Sequence, residues 1–96
     1  MAEYRMTKEA RADLVQIYKF GVEKFGGKQA DKYLDGLFNC FETIARNPFA
    51  FESVDFIKKG YRRCPFESNS IFYRIEKHGI EIAAIIGKQD LDSILK

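Results

Sequence analysis

Histidine occurs once in these 96 residues and cysteine twice, so the usual makings of a metal or thiol site are scarce. Cys40 and Cys64 stand far apart in the sequence, with no CxxC pair to suggest metal binding or redox chemistry. Both read as reduced thiols that pack as small hydrophobes, Cys40 inside a helical pattern and Cys64 inside a strand. His78 falls in a predicted exposed turn, where no Ser/His/Asp arrangement and no metal cluster can use it. A glycine-rich, phosphate-cradling motif is absent too, and Gly26-Gly27 reads as a helix stop. No catalytic residue, metal or cofactor is therefore expected. Apolar runs are short: none approaches the length of a membrane-spanning helix. The opening MAEYRMTKEARADL has no apolar stretch to serve as a signal peptide, so the expected location is cytoplasmic. Charge of one sign is in little excess. A net charge of +2 permits a nucleic-acid partner without arguing for one, and no sequence-specific nucleic-acid binding is expected.

What is present is apolar and aromatic. The chain is 46% hydrophobic, with nine Phe and five Tyr, enough to build one core without staples. Its length suits a single domain over residues 1–96, and no repeat or linker divides it. After a short alternating segment, Tyr4–Met6, Thr7 supplies a helix N-cap and Glu9 suits the positive end of the helix dipole. Leu14, Ile17, Tyr18 and Phe25 then recur at helical spacing, with Val15 and Val22 widening the stripe. A second helix is expected from about Lys28 to Arg46, closed by Asn47-Pro48. Leu34, Leu37, Phe38 and Phe41 should form its buried side. Residues 47–59 show no clean period but carry Phe49, Phe51 and Phe56.

Beyond Gly60 the period changes to two. Tyr61–Phe66, Ser70–Glu76 and Gly79–Ile86 read as strands, with turns at Glu67-Ser68-Asn69 and Lys77-His78. Tyr4–Met6 adds a strand at an edge or beside the last one, and Asp90–Lys96 suits a short helical turn. The expected fold is α+β: a strand and a two-helix hairpin packed on a small antiparallel sheet whose other face stays open. Alternation separates Arg62 from Arg63, and places Ile71, Tyr73 and Ile75 opposite Phe72, Arg74 and Glu76. It also places Ile80, Ile82, Ala84 and Ile86 on one apolar face. Arg74 and one of the tandem arginines thus share the open face. They are either solvated surface residues or an anion-binding patch rimmed by Lys58, Lys59 and Lys88. Positive charge alone does not make a ribonuclease, which needs an acid and a base, and no convincing pair is visible.

Several segments, taken together in order, are similar to one family. KEARADLVQIYKFGVEKFG followed by QADKYLDGL, NP closing the second helix, GYRRCP entering the sheet and SIFYRIEKHGIEI across the hairpin resemble the ParE branch of the RelE/ParE toxins. The family's GYR-x-x-P and IFYR match Gly60, Tyr61, Arg62, Pro65 and Ile71 to Arg74. Two places depart: Ile86-Gly87-Lys88 stands where His-Gly-Arg is frequent, and Ala50-Phe51 replaces the common glycine after NP. The resemblance implies a toxin that inhibits DNA gyrase without being an enzyme. It also implies neutralisation by a cognate ParD-like antitoxin, a ribbon-helix-helix DNA-binding protein. RelE relatives instead cleave messenger RNA on the ribosome, often with a C-terminal Tyr or equivalent that this chain lacks. That activity, or a non-toxic antitoxin-binding module, is the alternative. Phe49, Phe51, Phe56, Arg62, Arg63 and Arg74 are the expected antitoxin contacts, unless the aromatic loop simply folds back and seals the core. Lys58, Lys59 and Lys88 are the expected anion or target contacts.

Overall fold

A computed structural model describes residues 3–87. Lys88 and the short helical turn expected at Asp90–Lys96 lie outside the described residues. The elements run β1 (Tyr4–Met6), α1 (Lys8–Phe25), α2 (Gly27–Arg46), β2 (Glu52–Ser53), β3 (Tyr61–Phe66), β4 (Asn69–Glu76) and β5 (Gly79–Gly87).

Thr7 caps α1 as expected. Its Oγ1 accepts from the Ala10 amide at 3.0 Å, and its hydroxyl donates to the Ala83 carbonyl at 2.8 Å, tying the helix start to the sheet. Gly26, at φ 88°, ends α1 in a conformation that favours glycine, and α2 begins at the next residue. The two helices close tightly because Gly21 faces Ala30: a Cβ at Gly21 would lie 3.3 Å from the Ala30 Cβ.

On α2 the buried line is Ala30, Leu37, Phe41 and Ile44. Two expected core residues depart from it, since Leu34 is half-buried and Phe38 is 37% exposed. A helix turns about 100° per residue, so Phe38 sits roughly 80° off the line set by Ala30 and its companions. There it meets Phe41 edge-on, with ring centroids 5.7 Å apart, at the margin of the core.

The sheet order is β1-β5-β4-β3-β2. It is mixed rather than wholly antiparallel, because β1 runs parallel to β5 while every other pair is antiparallel. The helical hairpin between them supplies the crossover that a parallel pair needs. The β3–β4 turn is tighter than expected. Phe66 pairs with Asn69, leaving Glu67-Ser68 as the loop, with Glu67 at φ 52°.

Alternation fails at one place. Phe72 pairs with Ala84 but Tyr73 pairs with Ile82, so Ala83 is an extra residue on β5. The bulge shifts the side-chain phase: Ile80, Ile82 and Ile85 enter the core beneath the helices, while Ala84 and Ile86 pack with Phe72 on the other face. This corrects the expectation that Ala84 and Ile86 would share a face with Ile80 and Ile82. Two sequence-distant side chains hold the bulge, Thr7 at the Ala83 carbonyl and Asp13, whose Oδ2 accepts from the Ile85 amide at 3.0 Å. Ile75, expected in line with Ile71 and Tyr73, is 37% exposed, near the end of β4.

Candidate functional site

The aperiodic segment after α2 is an ordered loop with two anchors. The buried Tyr73 hydroxyl donates to the Pro48 carbonyl at 2.6 Å, and Arg62 Nη1 donates to the Phe51 carbonyl at 2.7 Å. Phe51 turns inward and meets Tyr73 edge-on, with ring centroids 6.4 Å apart. With its backbone held on both sides, the loop projects Phe49 outward, 72% exposed, under the Arg62 guanidinium at 5.1 Å. Burial pushes the Tyr73 hydroxyl up to about 12, so it remains a hydrogen-bond donor throughout the neutral range.

After β2 the chain crosses to the open face. Val54 and Phe72 are buried together there, with Ile57, Tyr61, Ala84 and Ile86 packed around them. Ile57 and Lys58 both donate their amides to the Val54 carbonyl, and Asp55 Oδ1 accepts from the Gly60 amide at 2.8 Å. Gly60 closes this turn at φ 86°, a region that disfavours other residues. The turn exposes Phe56 at 75% and leaves a shallow hollow of about 440 Å³ between Ile57, Tyr61, Phe72, Ala84 and Ile86. Lys58 stands at its rim, its ammonium 5.0 Å from the Tyr61 ring centre, and Lys59 is exposed beside it.

The arginines do not form one bare cationic patch. Arg63 and Arg74 are on the open face, but each already has carboxylate partners. Arg63 pairs with Glu52 at 2.7 Å and donates to Ser70 Oγ at 2.8 Å. Arg74 pairs with Glu81 at 2.8 Å, and Glu81 also takes Arg5 at 2.6 Å. Arg5 makes a two-pronged contact with Glu76, at 3.0 and 2.8 Å, which holds the Glu76 carboxyl below its ordinary range. Arg62 lies on the other side of β3, directed at the loop.

The expected antitoxin contacts thus separate into two groups. Phe49, Phe51 and Arg62 form one cluster at the pinned loop, whereas Arg63 and Arg74 lie on the open face and Phe56 stands at the tip of the second turn. Sequence reasoning missed Val54, Ile57 and Glu81. Glu81 is only 5% exposed, and a lone acid inside an isoleucine-rich strand was a signal that it had charged partners. His78 is exposed in the turn between β4 and β5. Among the described residues no three His, Cys, Asp or Glu side chains gather to hold a metal, and no helix is long and apolar enough to cross a membrane. The arrangement offers binding elements: two projecting aromatic rings, an apolar hollow and exposed lysines at its edge.

Comparison with known proteins agrees with this architecture. Residues 4–91 match the family model described as ParE toxin of type II toxin-antitoxin system, parDE. The chain belongs to the ParE toxin family. Toxin ParE1 of Caulobacter vibrioides is 35% identical over 75 residues, covering 78% of each chain. Toxin ParE1 of Mycobacterium tuberculosis is 29% identical over 93 residues, covering 95% of each. A structure titled as the chromosomal ParDE TA system from P. aeruginosa superposes with a TM-score of 0.79 at 22% identity. That superposition covers 91% of this chain and 96% of the other, and shows the shared fold. The protein is accordingly the toxin component of a type II toxin–antitoxin system.

In this ParE family member, the residues that carried the resemblance organise the loop and sheet. Gly60 closes the turn, Tyr61 supports Lys58, and Arg62 and Tyr73 pin the loop backbone. Ile71 is fully buried and Arg74 enters the charge network with Glu81.

Proposed function

We propose that this toxin inhibits DNA gyrase by binding rather than by catalysis, in the cytoplasm. In our reading a cognate ParD-like antitoxin neutralises it by covering the surface around the pinned loop. The observation that carries the antitoxin site is the exposure of Phe49 and Phe56, 72% and 75%, on backbone held by side-chain hydrogen bonds. Large aromatics on rigid backbone lose little further conformational freedom on binding, which makes them effective anchors. An initially disordered antitoxin tail with alternating apolar and acidic residues would seat the former against Phe49, Phe56 and the hollow. Its acids would meet Lys58, Lys59 and the outer face of Arg63. Membership of the ParE family supports the gyrase assignment, and the scarcity of acid–base groups favours inhibition over RNA cleavage.

Induction of the chain alone is expected to filament cells and induce the DNA-damage response, and purified toxin to trap gyrase on cleaved DNA. Codon-positioned mRNA cleavage on translating ribosomes, abolished by Arg62→Ala, would assign the RelE-type activity instead. Normal growth with intact gyrase turnover would leave only a binding module. The neighbouring reading frame is expected to encode a small acidic protein with a ribbon-helix-helix start, and co-purification of the two tests the pairing.

A further inference from the structure

A second hollow, of about 1170 Å³, lies between the tip of the helical hairpin and the end of the sheet. Ile17, Phe20 and Phe25 of α1 and Tyr33 and Leu34 of α2 form its helical side. The β3–β4 turn forms another wall and is held firmly. Phe66 packs over Gly36, where a Cβ would lie 2.6 Å from the ring, and meets the Tyr33 ring with centroids 5.1 Å apart. Asn69 Nδ2 donates to the Tyr33 hydroxyl. At the hairpin tip, by contrast, Phe20 is 57% and Phe25 68% exposed.

The chain leaves the sheet inside this groove. Gly87, the last residue of β5, pairs with Asn69 and is itself part of the lining. Residues 88–96 follow, reading KQDLDSILK.

We propose that residues 88–96 dock back into this groove as a short amphipathic helix, seating Leu91, Ile94 and Leu95 against Phe20, Phe25 and Leu34. The three apolar residues fall at i, i+3 and i+4, which is one face of a helix. Four residues from Gly87 to Leu91 can span about 14 Å, more than the roughly 10 Å between packed layers, so the segment can cross from sheet to hairpin. Asp90 stands at the margin of the apolar stripe, where Lys32 in the groove wall complements it. Asp92 and Lys96 are four apart on the outer side, a spacing that supports a helix. The short tether also selects this occupant over a second copy. It holds the segment at an effective concentration on the order of millimolar, which a free copy at micromolar concentration does not match. The groove is separate from the antitoxin surface proposed above, so the two readings stand independently.

The test uses the full chain, isotopically labelled, in solution. The methyl groups of Leu91, Ile94 and Leu95 are expected to show nuclear Overhauser contacts to the Phe20 and Phe25 rings that persist on dilution. Phe25→Ala and Leu95→Ala should each lower the melting temperature by roughly 5 °C, and the double variant should melt no lower than the weaker single one, because both remove one shared contact. Phe56→Ala combined with Leu95→Ala should show additive losses. Absence of the methyl–ring contacts in the folded chain overturns the proposal, as do additive losses from Phe25 and Leu95. Contacts found only between differently labelled copies assign the groove to a second copy. Contacts that appear only when the antitoxin is bound assign it to that partner, and either result overturns the intramolecular docking.

Discussion

Phe41 and Phe38 are three positions apart on one helix, yet their environments differ. Phe41 is fully buried, its ring centroid 5.5 Å from that of Tyr4, whereas Phe38 is 37% exposed. Phe41→Ala is expected to cost about 3–5 kcal/mol, because removing a buried ring loses its transfer energy and leaves a cavity. Phe38→Ala is expected to cost only about 1 kcal/mol. Urea melts decide the point, and equal losses would contradict the assigned helix face. Two buried weak acids make a second residue-scale prediction. Burial pushes the Cys64 thiol from 9.0 up to about 11 and the Tyr73 hydroxyl from 10.0 up to about 12. Unfolding exposes both, so the unfolded chain releases these protons at lower pH than the folded one. Their stabilising contribution is complete below pH 9.0; that of Cys64 fades up to about 11 and that of Tyr73 up to about 12. The urea midpoint should therefore fall as pH rises through this window, and Cys64→Ala should remove the earlier part of the decline. A midpoint that stays flat across the window would show that neither group stays protonated in the folded chain.

Among the elements, β5 does most to determine what faces the helices. Strict alternation from Ile80 would bring Ile86 into the core, but the extra residue at Ala83 substitutes Ile85 and sends Ile86 to the open face. Ile85→Ala is expected to cost about 2–5 kcal/mol and Ile86→Ala about 1 kcal/mol, measured as a pair by denaturant melts. A reversed order would place the bulge elsewhere. The same strand also secures β1. Glu81 accepts from Arg5 of β1 and Arg74 of β4, so a strand of three residues is held by charge as well as by its ladder. Both guanidinium groups remain substantially exposed, which limits the worth of each pair.

At the scale of the whole molecule, among the described residues one face of the sheet carries no helix, and the loop from Val54 to Gly60 covers only part of it. In the proposed complex the antitoxin meets Phe49 at the pinned loop and Phe56 at the edge of the open face, while α1 also exposes Phe20 and Phe25. Phe51 makes a poor probe of that contact because it packs against the core and meets Tyr73, so its removal would disturb folding as well. Phe49→Ala and Phe56→Ala are expected to keep their stability. Each should weaken binding of the cognate antitoxin by about tenfold or more, mainly through faster dissociation. Arg63→Ala should instead change the salt dependence of binding, an effect tempered by its existing bond to Glu52. Calorimetry at two salt concentrations separates these effects. Unchanged affinity in all three variants would place the antitoxin elsewhere.

Because helix caps, helical spacing and alternation are local signals, the sequence by itself determined the order of elements except for β2, whose two residues show no period of their own and pair only with β3. Thr7, Gly26, Gly60 and the run from Ile71 to Glu76 each carry their meaning within a few residues. It also sufficed for the family, through motifs spread across the chain and later matched over residues 4–91. Tertiary structure decided what depends on distant partners. The parallel pairing of β1 with β5 and the bulge at Ala83 rest on Thr7 and Asp13 reaching across the fold. Which arginines face solvent alone and which face a carboxylate was settled by Glu52, Glu76 and Glu81, none of them adjacent in sequence to the guanidinium groups they meet. Local periodicity records which way a side chain points along its own element. Only packing records what stands opposite it.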